Sequence, residues 1–327
     1  MITPAFGLTA TERVLPRLAL DFTTASLDPR ITFTRTTGAS NPATYVGSSG
    51  VITAATNNQP RFDYDPVTLV CKGLLIEESR TNSLLNTDLL STQIVTVTAA
   101  VRTLSFYGTG SVTLSGAHTA VVSGTGAYPT RTTYSFTPTA GALTLTVAGT
   151  VQFAQLEVGA FATSYIPTTT TALTRNSDVA VMTGTNFSSW YNAAQGTFDI
   201  KFEMIQKSAS TAVRYLLALD DSGGKRVVYI NAGFTEAGSF DGTSVINPSG
   251  NVVAAASNIT SAYNNSSRSL ASNGNSVASG SVSASYSTAT SLSIGSLSAS
   301  SNANAWLSQL SFYPQRLTLN EIRAFSK

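Results

Sequence analysis

Apolar and polar residues alternate along most of this chain with a period of two. The pattern is clearest at residues 196–204, where Phe198, Ile200, Phe202 and Met204 fall on one face, the spacing of a half-buried strand. Similar runs predict strands at 18–22, 31–35, 71–77, 214–219, 227–230, 291–295 and 306–313. Between 93 and 158 short strands are expected at 94–98, 104–107, 111–114, 130–136, 143–147 and 151–158, punctuated by Gly108, Gly116, Gly124, Gly141 and Gly149. Strands recurring every eight to twelve residues or so, with turn residues between them, describe an antiparallel sandwich. Hairpins are expected across the Gly-rich residues 47–50 and at the Asn273-Gly274 corner. Only the C-terminal segment, 318–325, reads as a helix, opened by a capping box of Thr318 and Glu321.

The expected fold class is therefore all-β: two antiparallel β-sandwiches of jelly-roll type in tandem, with an extended N-terminal arm. Pro4 and Pro16 and the lack of a period set residues 1–17 apart as that arm. Residues 18–165 form the first sandwich. Ile166-Pro167 and the threonines after it open a stiff linker over 166–186, and 187–327 form the second sandwich. Residues 251–304 are rich in Ser, Asn and Ala. Alternation at 277–282 and 292–297 favours strands there over a disordered tract.

Composition narrows the function. Of 327 residues, 42% are apolar and only 11% charged, with a formal net charge of +2. Nineteen basic residues against seventeen acidic ones create no broad field for nucleic acid or anionic lipid. No run is long enough to span a bilayer, and the N-terminal residues lack the apolar core of a signal peptide. Near-neutrality removes the charge repulsion that keeps monomers apart, which favours a homo-oligomer. One histidine and one cysteine leave no ligand set for zinc and no intrachain disulfide. No cofactor and no metal is expected. His118 sits between two strands without a nearby acid, and Cys71 reads as a small strand residue.

The scarce charge is concentrated at 61–82, which holds seven charged residues. Glu77 and Glu78 are neighbours on a predicted strand and face opposite ways, so they do not make the carboxylate pair of a glycosidase. The stretch instead suggests a structural ion-pair clamp of Arg35, Arg61, Asp63, Asp65 and Arg80. A sugar site needs an exposed aromatic face and polar partners for hydroxyls. Trp190, Tyr191 and Asn192 are the first candidates, followed by Tyr215 and Tyr229 beside Asp220 and Asp221. Trp306 opens a strand and reads as core. No catalytic residue is expected.

Phe33-Thr34-Arg35, residues 43–46, 61–66 and 73–82, and a second block at 155–167 together resemble bacteriophage fibre and spike structural proteins. In that family the second block closes a carbohydrate-binding-module-like jelly roll. The C-terminal half is similar to concanavalin-A-like and laminin-G-like sandwiches, through the Asn273-Gly274 hairpin and residues 317–322. The resemblance implies a non-enzymatic virion protein, on tail or head, joined to other virion proteins by its arm. It would display sandwiches toward a host-surface glycan, with a trimer favoured. A purely structural decoration protein and a polysaccharide depolymerase are the alternatives.

Overall fold

The computed structural model describes residues 15–35, 43–205, 213–221, 224–231, 237–241, 244–247, 256–282, 289–297 and 301–327. The strand Gln195–Met204 sets the frame. Phe198, Ile200, Phe202 and Met204 all point inward, each at most 3% exposed. Its neighbours Ala256–Asn264 and Ala305–Tyr313 pair with it antiparallel. Around these three grows an eight-stranded sheet, counted among the described residues. Ser267–Ser272 and Ala278–Ser281 extend one side, and Cys71–Ile76 and Phe62–Tyr64 the other, while Leu18–Asp21 also pairs with Ala305–Tyr313.

Among the described residues a seven-stranded sheet lies opposite, in the order Thr32–Thr34, Val179–Thr183, Ser291–Ile294, Arg214–Asp221, Gly224–Ile230, Ala237–Phe240 and Val245–Ile246. Leu217, Leu219, Val228, Ile230, Leu292 and Ile294 from this sheet meet the Phe198 face in one apolar core. The arrangement is that of two antiparallel sheets packed face to face.

A second, smaller sandwich is contiguous in sequence. Ala120–Ser123, Ser111–Gly116, Gly141–Ala148 and Gln93–Val97 form one sheet, and Thr132–Phe136, Arg102–Tyr107 and Gln152–Val158 the other. Its own core contains Leu104, Phe106, Val112, Leu114, Leu143, Leu145 and Leu156.

The fold is all-β and antiparallel, but the division of the chain differs from the sequence expectation. Residues 18–76 do not complete the small sandwich. Their strands Leu18–Asp21, Thr32–Thr34, Phe62–Tyr64 and Cys71–Ile76 are built into the two large sheets. The stretch 166–186 is no linker either: Val179–Thr183 is an interior strand between Thr32–Thr34 and Ser291–Ile294. The reason is length, because strands in 187–327 need partners on both flanks and the N-terminal strands provide them. Of the arm, residues 1–14 lie outside the described residues, and Arg17 is already anchored, its N–H donating to the Phe312 carbonyl. At the C-terminus Thr318 caps Leu319–Phe325 reciprocally with Glu321.

One backbone position ties Cys71–Ile76 into the large sheet. Gly73 has φ +114° and lies against the Leu307 carbonyl, where a Cβ would collide. Only glycine adopts this conformation without strain.

Candidate functional site

The two sandwiches meet along a buried polar seam. Arg61, from the charge-dense stretch, sits at its centre with no exposure. Its guanidinium lies 2.8 Å from Glu77 Oε2 and 2.5 Å from Asp178 Oδ2. It also donates to the Thr44 carbonyl at 2.9 Å and to Ser164 Oγ at 2.7 Å. Arg35 pairs with the other oxygen of Asp178 at 3.0 Å, and Arg175 lies 3.5 Å from Glu77. Ser164 donates both its N–H and its hydroxyl to Glu77. The seam therefore joins the large sandwich to the segment that closes the small one.

Burial alone would raise the Glu77 carboxyl, but the Arg175 and Arg61 guanidiniums outweigh it and hold the group at about 2. Burial likewise disfavours the charge on Arg61, and Asp178 and Glu77 more than reverse that. For Arg175 burial wins and its proton is held less tightly than usual. A second, shallower cluster joins Glu78 to Arg80, Arg214 and Asn304. The Arg80 guanidinium also lies 4.7 Å from the centre of the Phe161 ring.

Above the seam opens a cleft of about 240 Å³. The small sandwich and its closing segment contribute Tyr107, Tyr128, Pro129, Arg131, Thr163 and Tyr165. The hairpin Thr44–Val46/Ile52–Ala54 contributes Tyr45, Val46 and Ile52. The large sandwich contributes Asp63, Tyr64, Lys72, Ile205 and Trp306. Tyr45, Tyr64, Tyr107, Tyr128 and Trp306 are all partly exposed. Tyr107 and Tyr128 stand 5.2 Å apart at 54°. The Tyr128 hydroxyl donates to the Gly50 carbonyl at 2.6 Å, and burial pushes this phenol up to about 12.

Lys72 and Asp63 on the cleft wall are held by charged or polar partners, whereas Arg131 meets only neutral oxygens and its buried Nε has no hydrogen-bond partner among the described residues. The Lys72 ammonium sits 3.9 Å over the Trp306 ring and 3.4 Å from Glu203, a cation–π contact. Arg131 donates to the Thr163 carbonyl at 2.6 Å and to Ser105 Oγ at 2.8 Å. Asp63 accepts from the Val46 N–H at 2.5 Å and from the Trp306 indole N–H at 2.7 Å. Burial nevertheless raises its carboxyl to about 6, those two hydrogen bonds offsetting only part of the cost.

The sequence candidates for sugar contact lie elsewhere. Trp190 is a correction: it is 2% exposed, donates its indole N–H to the Asn186 carbonyl, and packs against Phe187, Phe198 and Phe312. The short helix Thr185–Ser188 turns the ring inward, so no face is left for a ligand. Tyr191 stacks on Phe187 at 4.6 Å, and the Asn192 amide donates to the Pro314 carbonyl. Tyr215 and Tyr229 pack 6.4 Å apart in a separate small cluster with Ala218 and Val227. The structure does not bring them to Trp190. Asp220 and Asp221 pair through their backbones with Lys225 and Gly224.

Of the proposed clamp, Arg35, Arg61 and Arg80 pair with Asp178, Glu77 and Glu78. Asp63 and Asp65 are not their carboxylates: Asp63 holds Trp306, and Asp65 accepts N–H bonds from Val67 and Thr68 in its own turn. Sequence reasoning missed Asp178 and Arg175, which fell inside the expected linker, and misplaced Trp306. The alternation held the signal for Trp306, because inward Ala305 and Leu307 put residue 306 on the outer face. His118 stacks on Phe136 at 4.5 Å and lies 3.1 Å from the Tyr134 hydroxyl. Among the described residues no three His, Cys, Asp or Glu side chains gather as metal ligands. No helix there is long and apolar enough to cross a membrane.

No protein-family model matches the sequence, and no curated protein does. Solved structures are similar to parts of the chain. The CBM40 of Ruminococcus gnavus IT-sialidase bound to alpha2,3 sialyllactose is 15% identical with a TM-score of 0.34, over 43% of this chain and 86% of that one. A mutant Trypanosoma rangeli sialidase displaying trans-sialidase activity is 13% identical at TM-score 0.37, over 45% and 26%. The binding domain of botulinum neurotoxin DC in complex with rat synaptotagmin II is 10% identical at TM-score 0.36, over 46% and 40%.

Proposed function

We propose that this chain is a non-enzymatic structural protein of a bacteriophage particle, in a fibre or spike, that touches a host-surface sugar through the cleft between its sandwiches. The observation that carries the sugar contact is the gathering of Tyr45, Tyr64, Tyr107, Tyr128 and Trp306, all partly exposed, in one concave site. Aromatic faces with a few placed polar groups are what sugar rings bind to. The carboxylates nearest the cleft, Asp63 and Glu77, already accept hydrogen bonds or ion pairs from the protein. That supports a binding role over acid–base chemistry.

The virion role rests on the resemblance carried by residues 43–46, 61–66, 73–82 and 155–167, several of which line the cleft and the seam. Assembly as a homo-oligomer, with a trimer favoured, and attachment to other virion proteins through the arm belong to the same reading. Removing residues 1–14, which leaves the anchored Arg17 and the strand after it intact, is expected to give a folded protein absent from particles; normal incorporation would sink the attachment role. On a glycan array, Tyr128→Ala is expected to lose at least tenfold in binding. Undiminished binding by that variant, or new reducing ends released from capsule or lipopolysaccharide by the native protein, would overturn the binding role.

A further inference from the structure

We infer that the sugar taken by the cleft carries a carboxylate and that Arg131 is the group that meets it, an inference that rests on the sugar-binding reading above. Arg131 differs from the arginines of the seam in what it faces. Arg35, Arg61, Arg80 and Arg175 each lie against a carboxylate of Asp178, Glu77 or Glu78. Arg131 pairs with no carboxylate among the described residues. One terminal nitrogen donates to the Thr163 carbonyl and the other to Ser105 Oγ, both neutral, and the buried Nε has no partner there. A guanidinium carries more N–H groups than these two bonds use, and its charge is left uncompensated. The strong way to complete such a group is a carboxylate, which matches the planar fork with charge as well as hydrogen bonds.

The surroundings place that anion on a sugar. Arg131 is half-buried in the cleft wall. Its guanidinium carbon lies 5.9 Å from the centre of the Tyr107 ring, and Tyr107 stands 5.2 Å from Tyr128. A sugar seated against this aromatic pair has the guanidinium as a near neighbour, within reach of a carboxylate carried outside its ring. The other charged groups leave the role to Arg131. Lys72 is held over the Trp306 ring beside Glu203. Asp63, on the large-sandwich wall, accepts from the Val46 and Trp306 N–H groups. An acidic sugar is therefore oriented, its carboxylate toward the small sandwich and its hydroxyls toward the large one.

The test is a binding titration of the full chain at about pH 7.5, where sugar carboxyls are ionised. The ligands are oligosaccharides ending in glucuronate, galacturonate or N-acetylneuraminate, the methyl esters of the same sugars, and glucose- and galactose-ended counterparts. At least one acidic ligand is expected to bind about tenfold more tightly than its methyl ester, and to weaken about threefold between about 50 and 500 mM salt. Arg131→Gln is expected to lose that tenfold preference while binding the esters and neutral sugars as the native chain does. Should this variant not fold, the comparison of acid with ester on the native chain decides alone. Equal affinity for acids and esters, or a preference kept by folded Arg131→Gln, would overturn the inference and leave the cleft as a sugar site. Binding of none of these ligands would remove the cleft as a sugar site, and the inference with it.

Discussion

The two sandwiches are made of the same kind of strand but are assembled in opposite ways. The small one takes its seven described strands from one continuous stretch around an apolar core of Leu104, Phe106, Leu143, Leu145 and Leu156, with Gln155 and Glu157 buried on its closing strand. The large one gathers strands from both ends of the chain and fastens them with buried charge, Arg35, Arg61 and Arg175 against Glu77 and Asp178. Local pairing suffices where partners are close in sequence. Where they are more than a hundred residues apart, an ionic seam fixes which strand goes where, and the cleft forms as a by-product of that join. Buried ion pairs are weak sources of net stability but specific about geometry.

The sharpest way to break this contrast is to cut the chain. Residues 82–170 are expected to fold alone, because Asn82 and Thr168 close the small sandwich through bonds to Ala154, Ile166 and Leu84. Residues 187–327 alone are expected not to fold, since they lack Leu18–Asp21, Thr32–Thr34, Cys71–Ile76 and Val179–Thr183 from the two large sheets. Circular dichroism melts of both fragments decide it. A cooperative transition in the C-terminal fragment would contradict the composite sandwich.

This is also where the sequence stopped being readable. Alternation is a local property, so it located Gln195–Met204, the hairpin Thr44–Val46/Ile52–Ala54 and most strands between 93 and 158. The spacing of Thr318 and Glu321 separately marked the capping box of the terminal helix. Alternation carries no information about which sheet a strand joins, and the strands of residues 18–76 were assigned to the nearer sandwich rather than the distant one. The seam was half legible: the density of charge at 61–82 marked it, but Asp178 and Arg175 stood in a Thr-rich segment that resembled a connector. The cleft was illegible because its rings come from separate segments, none of which is distinctive by itself. Trp190 and Trp306 were exchanged for this reason, the one flanked by polar residues being the buried one.

Single substitutions sharpen the comparison further. Arg61→Leu leaves Glu77 and Asp178 without their central partner, and about 3–5 kcal/mol of stability should be lost. Trp190→Ala should cost a similar amount, about 3–5 kcal/mol, through the cavity it leaves among Phe187, Phe198 and Phe312. Denaturant midpoints measure both. A stable Arg61→Leu protein would show the seam to be incidental.

Acid should act on the large sandwich through the same groups. The Glu77 carboxyl is held near 2 in the folded chain against 4.5 as its ordinary value, so its contribution is complete above about pH 4.5 and disappears as pH falls toward 2. Asp63 works in the reverse sense. Its folded value near 6 exceeds the ordinary 3.8, so this group takes stability away as pH rises from 3.8 through 6. A Glu77→Gln protein whose stability keeps the native pH profile between 4.5 and 2 would contradict the first assignment. The smallest effect belongs to the terminal helix, where Thr318→Ala should cost about 1 kcal/mol through loss of the cap.

The most direct measurement compares sugar binding by Tyr107→Ala/Tyr128→Ala with binding by Trp190→Phe, using isothermal titration of proteins shown by circular dichroism to be folded. The account predicts that the cleft variant loses binding by tenfold or more, while Trp190→Phe binds as the native chain does. Retained binding in the cleft variant, or its loss in Trp190→Phe, would place the site away from the junction of the two sandwiches.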